Sequence, residues 1–284
     1  MSRSLFRRAT PIEARRGPVA GPPVTPFSVV TLAFVVAYLL IVAALIATNI
    51  CYTDLGAFRE ALASREVRHA LWLSVLTSLS SVAIIVVFAV PVGYALSRYR
   101  FPCHAMVDTL VDLPIVLPPI VVGLLLLAFF STPVGRWIEG LGIEFVFTVP
   151  GIILCQFVVS ASFGIRTAAA AFDSVDRRLE DLALTLGCTR GQAFLRVALP
   201  MARNGIVAGA IVAWAHVVGL YGPLMVFAGT TRLKTEVLPS TIALELSVGR
   251  IEVALAVALL MLAAATGALV LVHALAPGRR WLNR

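Results

Sequence analysis

The sequence has little charge for its length. Only 13% of its 284 residues are charged, 60% are apolar, and the mean hydropathy is +0.95. A soluble domain does not need so much apolar surface, so this composition excludes a water-soluble globular protein. It predicts an all-α integral membrane protein, because helices satisfy their own backbone groups in lipid.

Cysteine and the common reaction motifs are also scarce. The four cysteines are far apart in sequence and form no CxxC pair, which favours small buried or interfacial residues over a redox or metal site. The chain contains no HExxH, no GxSxG and no phosphate-binding GxxxxGK(S/T) loop. The sequence therefore predicts no catalytic residue, no metal site and no bound cofactor. Any ATP must be hydrolysed by another polypeptide.

Long apolar runs are present instead, and six of them reach the roughly 18 residues that cross a bilayer. The third run is interrupted by Pro114, Pro118, Pro119 and Gly123, so we expect it to begin irregularly. The predicted spans are residues 27–48, 71–96, 113–130, 146–171, 206–228 and 253–275.

The arginines predict the orientation of these spans. The net charge is +8, but the basic residues flank the apolar runs, which excludes a nucleic-acid-binding surface and favours the positive-inside rule. More than twice as many of the 23 basic residues fall on the side that carries both termini. We therefore expect a multi-pass protein of the bacterial plasma (inner) membrane with both termini in the cytoplasm. Residues 1–26 and 276–284 are predicted basic cytoplasmic tails, the first of them disordered, and the 27–48 run is too long for a signal peptide.

A charged segment at residues 173–200 separates the fourth and fifth runs. It cannot lie in lipid, yet it carries an apolar stripe at helical spacing. Asp176 is placed to begin a helix over 177–186, and Gly187 to end it, with a second short helix ending at Pro200. A partner protein could hold this helix in a groove, or the helix could lie among lipid headgroups. The candidate contact residues are Arg178, Leu179, Glu180, Asp181, Leu182, Ala183, Leu186, Gly187, Arg190 and Pro200, with the charged ones pairing around the rim.

From Asp181 the chain reads D-L-A-x3-G-x9-V-x-L-P, ending at Pro200. This resembles the cytoplasmic loop motif of ABC importer permeases, E-A-A-x3-G-x9-I-x-L-P. The segments LVDLPIVLPPIVVGLLLL (110–127), GLYGPLMVFAG (219–229) and VLPSTIALELSVGRIEVALAVALLML (237–262) resemble permeases for molybdate, tungstate and sulfate. That group usually has an acid where this chain has Leu220.

The resemblance covers roughly residues 65–275 and implies a type I ABC importer fold. It implies that two permease subunits, identical or different, form the pathway. It also implies that cytoplasmic ATPases drive transport and bind the surface helix, and that an extracytoplasmic solute-binding protein delivers the anion. Molybdate is the first expected substrate, ahead of sulfate, thiosulfate or tungstate.

A break in the fifth run is the candidate pathway element. Gly219, Gly222 and Pro223, next to Tyr221, permit an unwound turn, which suits either a hinge on the anion pathway or close packing of helices. His216 lies one turn earlier and suits either a site or a hydrogen bond between helices.

Two rival functions remain open. A secondary transporter would be driven by an ion gradient and usually needs paired charges inside the membrane. Asp108 and Asp112 are the nearest to such a pair, but we expect water to solvate them at a helix entry. A membrane enzyme lacks catalytic groups in this sequence.

Overall fold

The computed structural model describes residues 25–275, without the side chains at positions 55, 269 and 271–275. Every regular element among these residues is helical. Residues 1–24 and 276–284, which hold nearly all of the two predicted tails, lie outside this description. The helices are α1 (Pro26–Tyr52), α2 (Leu55–Ala63), α3 (Arg65–Arg98), α4 (His104–Val116), α5 (Pro119–Ser131), α6 (Pro133–Glu139), α7 (Val149–Asp173), α8 (Arg177–Thr185), α9 (Arg190–Ala193), α10 (Leu199–Val218), α11 (Gly222–Phe227), α12 (Leu238–Ser247) and α13 (Ile251–Leu275).

The chain divides into two compact units after Thr48, and α1 supplies the described part of the first. At 27 residues, α1 is about 40 Å long, enough to cross a bilayer. Ser28 N–H donates to the Thr25 hydroxyl at 3.3 Å, which satisfies a backbone donor at the start of this helix.

In the second unit, α3, α7 and α10 form the centre of the bundle because small residues let their backbones approach. A Cβ added at Gly93 of α3 would lie 2.9 Å from Ala168 Cβ of α7, and one added at Gly205 of α10 would lie 2.4 Å from Ala171 Cβ of α7. The Ser81 hydroxyl of α3 donates to Gln156 Oε1 of α7 at 2.8 Å. Small residues and polar pairs are how helices associate in lipid, where apolar side chains gain little from leaving the surroundings.

Within residues 25–275, five helices are long and apolar enough to cross a membrane, and a sixth span exists if α4 and α5 are one bent element. The two axes meet at 112°, so the predicted third span is not a straight rod. Leu117 and Pro118 hold extended backbone at the break, since each precedes a proline and the following ring disfavours helical geometry. The irregular start predicted from the prolines is confirmed.

The loop end of the bundle is the end at which α3 stops and α8 lies. The Ser97 hydroxyl near the end of α3 donates to Asp173 Oδ1 at the end of α7 at 2.6 Å. A cluster of buried residues lies beneath it and joins α7 to α10, with Phe172 fully buried. Short helices α2 and α12 pack with the start of α3 at the opposite end.

Candidate functional site

The predicted surface helix is α8, and hydrogen bonds fix both of its ends. The Asp176 carboxylate accepts a hydrogen bond from Arg178 N–H at 3.0 Å, which confirms the predicted cap. Gly187 has φ +89°, and its N–H and that of Cys188 donate to carbonyls of the last turn, with Cys188 reaching Ala183 C=O at 3.0 Å. This is the Schellman arrangement, which glycine favours because it has no Cβ. The predicted stop at Gly187 is therefore confirmed.

The apolar stripe of α8 divides between two environments. Ala183 is buried against the rest of the chain, and so is Glu180. Leu182 and Leu186 are 57% and 85% exposed, and Leu179 is 37% exposed. The helix therefore rests on the bundle through one side and exposes the three leucines of the stripe on another, and Leu184 outside the stripe is also 36% exposed.

Glu180 does not lie at the rim of this surface, as its charge led us to expect. Its carboxylate accepts from Arg98 Nε at 2.7 Å and from the Tyr94 hydroxyl at 2.7 Å, both on α3. The side chains of Arg98 and Glu180 are only 7% and 10% exposed. The prediction that Glu180 pairs around the rim is wrong, because the end of α3 supplies a cation and a hydroxyl beneath α8. In the sequence, Arg98 is one of the basic residues that flank the apolar runs, and no sequence pattern links it to a residue 82 positions away.

Further hydrogen bonds join the same two segments. Arg98 Nη2 donates to Val175 C=O at 2.9 Å, and Arg98 Nη1 to the Ser97 hydroxyl at 3.1 Å. Arg177, at the start of α8, donates to the Ser97 carbonyl. The loop end of α3 is thus bonded to the residues on both sides of Asp176.

The remaining charged candidates stay at the surface. Arg178, Asp181 and Arg190 are exposed, and none of them forms an ion pair with another described residue. Asp181 and Arg190 border a cleft of about 350 Å³, together with Tyr94 and Tyr99. The predicted rim around α8 therefore consists of these three charges without Glu180.

The second short helix does not end at Pro200. The chain is continuously helical from Arg190 to Val218, through α9, a π-helical turn at Phe194–Ala198, and α10. In this turn Leu199 N–H donates to Phe194 C=O, five residues back. A proline inside a regular helix clashes with the carbonyl four residues earlier, and the wide turn relieves that clash. The predicted end at Pro200 is wrong for this reason, and the proline, which is exposed, lies on a continuous rod.

The predicted break in the fifth run is present between α10 and α11. Helix α10 ends at Val218, and α11 begins at Gly222, so Gly219 and Tyr221 lie in the interruption. A Cβ added at Gly123 of α5 would lie 2.6 Å from Pro223 C=O, which shows that α5 and α11 cross in direct backbone contact. The Tyr221 hydroxyl donates to Met225 Sδ at 3.2 Å.

One polar residue near this break, His216, pairs with another helix. His216 Nδ1 lies 3.0 Å from the Ser160 hydroxyl of α7, and its ring packs on Phe163 with the ring centroids 4.5 Å apart. This is the hydrogen bond between helices that was one of the two interpretations of His216. Leu220 is buried in an apolar cluster, where an acid would have no partner.

An ion triad joins α4 to α7. Arg166 Nη1 lies 2.5 Å from Asp108 Oδ1, and Arg166 Nε lies 2.5 Å from Asp112 Oδ1. The side chains of Asp108 and Asp112 are 41% and 45% exposed, as expected at a helix entry, but they also pair with Arg166, which the sequence did not predict. Arg166 lies in α7 and reaches both carboxylates, which are one turn apart on α4.

A buried carboxyl lies between α11 and α12. Glu236 is 1% exposed, and neither of its oxygens has a hydrogen-bond partner among the described residues. Burial raises the pKa of this carboxyl above 4.5, and the nearby carboxylates of Glu245 and Glu66 act in the same direction. The Thr241 side chain and Arg232 lower its pKa but do not reverse the shift. No group of three or more His, Cys, Asp or Glu in residues 25–275 could hold a metal ion.

Comparison with known proteins places these features in a family. Residues 89–281 match the family described as the inner membrane component of binding-protein-dependent transport systems. The chain is 36% identical over 195 residues to the molybdate/tungstate transport system permease protein WtpB of Thermococcus kodakarensis, which covers 69% of this chain and 74% of that one. It is 35% identical over 176 residues to the molybdenum transport system permease protein ModB of Escherichia coli K12, covering 60% and 77%. It is 31% identical over 185 residues to the sulfate transport system permease protein CysW of the same strain, covering 64% of each.

Two solved structures share the fold. One is a bacterial alginate ABC transporter in complex with an alginate-bound periplasmic protein, with a TM-score of 0.73 at 18% identity, covering 88% of this chain and 93% of that one. The other is a bacterial ABC transporter that imports alginate, with a TM-score of 0.69 at 18% identity, covering 88% and 96%. At this identity the likeness carries the fold alone, and the expected type I permease fold is confirmed.

Proposed function

Because the chain belongs to the family of inner membrane components of binding-protein-dependent transport systems, we propose that it is the permease subunit of an ATP-driven importer for a tetrahedral oxyanion. Molybdate is the first candidate substrate. The relatives that are named as permease proteins make it a transport subunit rather than an enzyme.

The observation that carries this proposal is the surface of α8. The three leucines of the apolar stripe are exposed on a helix that is capped at both ends and held from beneath by a buried ion pair. A mobile amphipathic helix could turn such leucines into lipid, but α8 is fixed to the bundle and cannot roll freely. A rigid apolar knob with charges at its rim suits a groove in a partner protein. The proposed partner is the cytoplasmic ATPase.

This assignment sets the orientation and the other partners. If α8 binds a cytoplasmic ATPase, the loop end of the bundle faces the cytoplasm, in agreement with the distribution of arginines. The opposite end, which includes α12, then faces the solute-binding protein that delivers the anion. A second permease subunit, a copy or a different chain, completes the pathway.

The geometry supports an alternating-access mechanism. When the ATPase closes around ATP, it displaces α8, and the continuous rod from Arg190 to Val218 carries that displacement into the membrane. The interruption at residues 219–221 lets α11 and α5, which touch at Gly123 and Pro223, move relative to the rod. The pathway then opens toward the docked binding protein.

Molybdate ranks first because two of the three relatives described above are named for molybdate or molybdenum. Sulfate, thiosulfate and tungstate follow, since CysW is named for sulfate and WtpB also for tungstate. An ion-coupled secondary transporter is the rival. The Arg166 triad contains the two carboxylates that come nearest to the charge pair such a transporter needs, but they are already paired with the arginine.

Reconstitution tests the proposal. The permease is placed in liposomes with its cognate ATPase and binding protein, and uptake of radiolabelled molybdate and sulfate is measured with and without ATP and vanadate. The expected result is vanadate-sensitive, ATP-dependent uptake, with molybdate favoured when both anions compete. Uptake driven by an ion gradient without ATP would overturn the assignment, and preferred sulfate uptake would correct only the substrate.

A further inference from the structure

The loop end of α3 supplies one partner of the buried ion pair that holds α8 from beneath. Arg98 and Glu180 meet at 2.7 Å with side chains 7% and 10% exposed. Charges are costly to remove from water, so a buried pair is retained only where its geometry is good and its remaining hydrogen-bonding groups are satisfied. Here Tyr94 donates to the second carboxylate oxygen, and Val175 and Ser97 accept from the guanidinium.

This pair is directional as well as buried. Apolar packing allows two helices to slide or rotate, but an arginine bonded to a carboxylate, a carbonyl and a hydroxyl fixes the relative position of the segments that carry them. The segments are the end of α3 and the residues from Val175 to Glu180, which lead into α8 and form its first turn. Arg177 adds a further bond from α8 to the Ser97 carbonyl.

Aromatic rings extend the joint to the neighbouring elements. Tyr94 contacts Phe172 of α7 and Phe194 of the π-helical turn, with ring centroids 5.3 Å and 4.6 Å apart. Tyr94 therefore hydrogen-bonds to α8 through its hydroxyl, and its ring packs against the end of α7 and the π-helical turn that precedes α10. A displacement of α8 relative to α3 would break this hydrogen bond. A displacement of α7 or of the π-helical turn relative to α3 would separate the rings.

We infer that Arg98 and Glu180 are positioning residues that fix the coupling helix α8 to α3, so that α3 moves with α8 as one body during transport. This inference rests on the proposed function, because it concerns the motion that the ATPase imposes on α8. It differs from a scheme in which α8 moves against a stationary α3 and drives only the rod that begins at Arg190.

The test uses the reconstituted complex of permease, ATPase and binding protein, with anion uptake per ATP hydrolysed as the readout. In Glu180→Ala, a buried arginine loses its partner. In the double variant R98M/E180M, both charges are replaced by apolar side chains of similar length, which tends to preserve folding. Both variants should keep ATP hydrolysis while uptake per ATP falls about tenfold. The matched control is Glu60→Ala, which breaks the exposed Arg250–Glu60 pair and should change nothing.

A covalent rescue separates coupling from folding. The four native cysteines are replaced by alanine, and R98C/E180C is treated with a short thiol-specific cross-linker. The untreated protein should show low uptake per ATP, and the cross-linked protein should regain it. A permanent bond between α3 and α8 does no harm if the two helices keep the same relative position throughout transport.

Three results would overturn the inference. They are normal coupling in R98M/E180M, uptake that stays low after cross-linking, and uptake that is blocked by cross-linking. If Glu180→Ala fails to assemble, the double variant and the cross-link decide. Absence of ATP-dependent uptake in the wild type would instead overturn the proposed function itself.

Discussion

Replacing Gly187 with alanine should lower the anion uptake per ATP hydrolysed, because it strains the backbone and not because it causes a steric clash. Gly187 has φ +89°, and an added Cβ would meet no atom within 4 Å. A residue with a Cβ in left-handed geometry costs about 1–2 kcal/mol. An energy of that size changes the ratio of capped to frayed helix ends about 5- to 30-fold. The frayed state loses the bonds from the Gly187 and Cys188 N–H groups, so the leucines of α8 are no longer held in one orientation.

Two further variants isolate the cause. Gly191 also has open space around it but lies in α9 without a positive φ, so Gly191→Ala should leave coupling unchanged. Asparagine tolerates left-handed geometry better than alanine, so Gly187→Asn should be the milder substitution. The assay is uptake per ATP in the reconstituted complex, together with the thermal unfolding midpoint.

The ranking of the variants decides between two reasons for the glycine. If Gly187 were needed because the ATPase approaches its backbone closely, asparagine would be at least as harmful as alanine. That result would refute the strain argument. Equal losses in Gly187→Ala and Gly191→Ala would refute it as well.

Three other perturbations follow from the structure. Leu186→Asp places a charge on the most exposed leucine of α8 and should abolish co-purification with the ATPase, without lowering the unfolding temperature of the permease alone; retained binding would contradict the proposed contact. Glu236→Gln should flatten the pH dependence of stability. The pKa of the Glu236 carboxyl is raised in the folded protein, so the wild type loses stability as the pH rises from 4.5 through that raised pKa. An unchanged slope of stability against pH in the variant would exclude this carboxyl as the cause. Gly123→Ala drives a Cβ into the Pro223 carbonyl and should destabilise the protein by about 1–3 kcal/mol in thermal unfolding, whereas Gly267→Ala, which meets nothing within 4 Å, serves as the matched control and should not.

Local signals predicted the local structure of the candidate site well. Asp176 and Gly187 act through their own backbone neighbourhood, so their roles as cap and stop follow from residue type and position. The prolines around residue 118 likewise indicated the break between α4 and α5.

The sequence did not predict which residues far apart in the chain pair with each other. Glu180 looks like a rim residue by its charge, and only the end of α3 turns it into a buried ion-pair partner. Arg166 lies within the predicted fourth span, but its pairing with Asp108 and Asp112 appears only when α4 is packed against α7. Pro200 looks like a helix terminator until a π-helical turn removes its clash. For Glu180 and Arg166 the deciding contact is with another helix, and for Pro200 it is a change in the backbone hydrogen-bond pattern. Residue type alone encodes neither.

The π-helical turn at Phe194–Ala198 also determines how α10 is rotated about its own axis. An α-helix advances about 100° per residue, so one residue more or less between Thr189 and Pro200 rotates everything that follows by that amount. The extra residue held in the wide turn sets the azimuth at which α10 enters the membrane, relative to the start of the rod at Arg190. Deleting a single residue there would convert the turn to a regular α-helix and restore the clash between the Pro200 ring and a backbone carbonyl. It would also rotate α10, so that its side chains would face different helices.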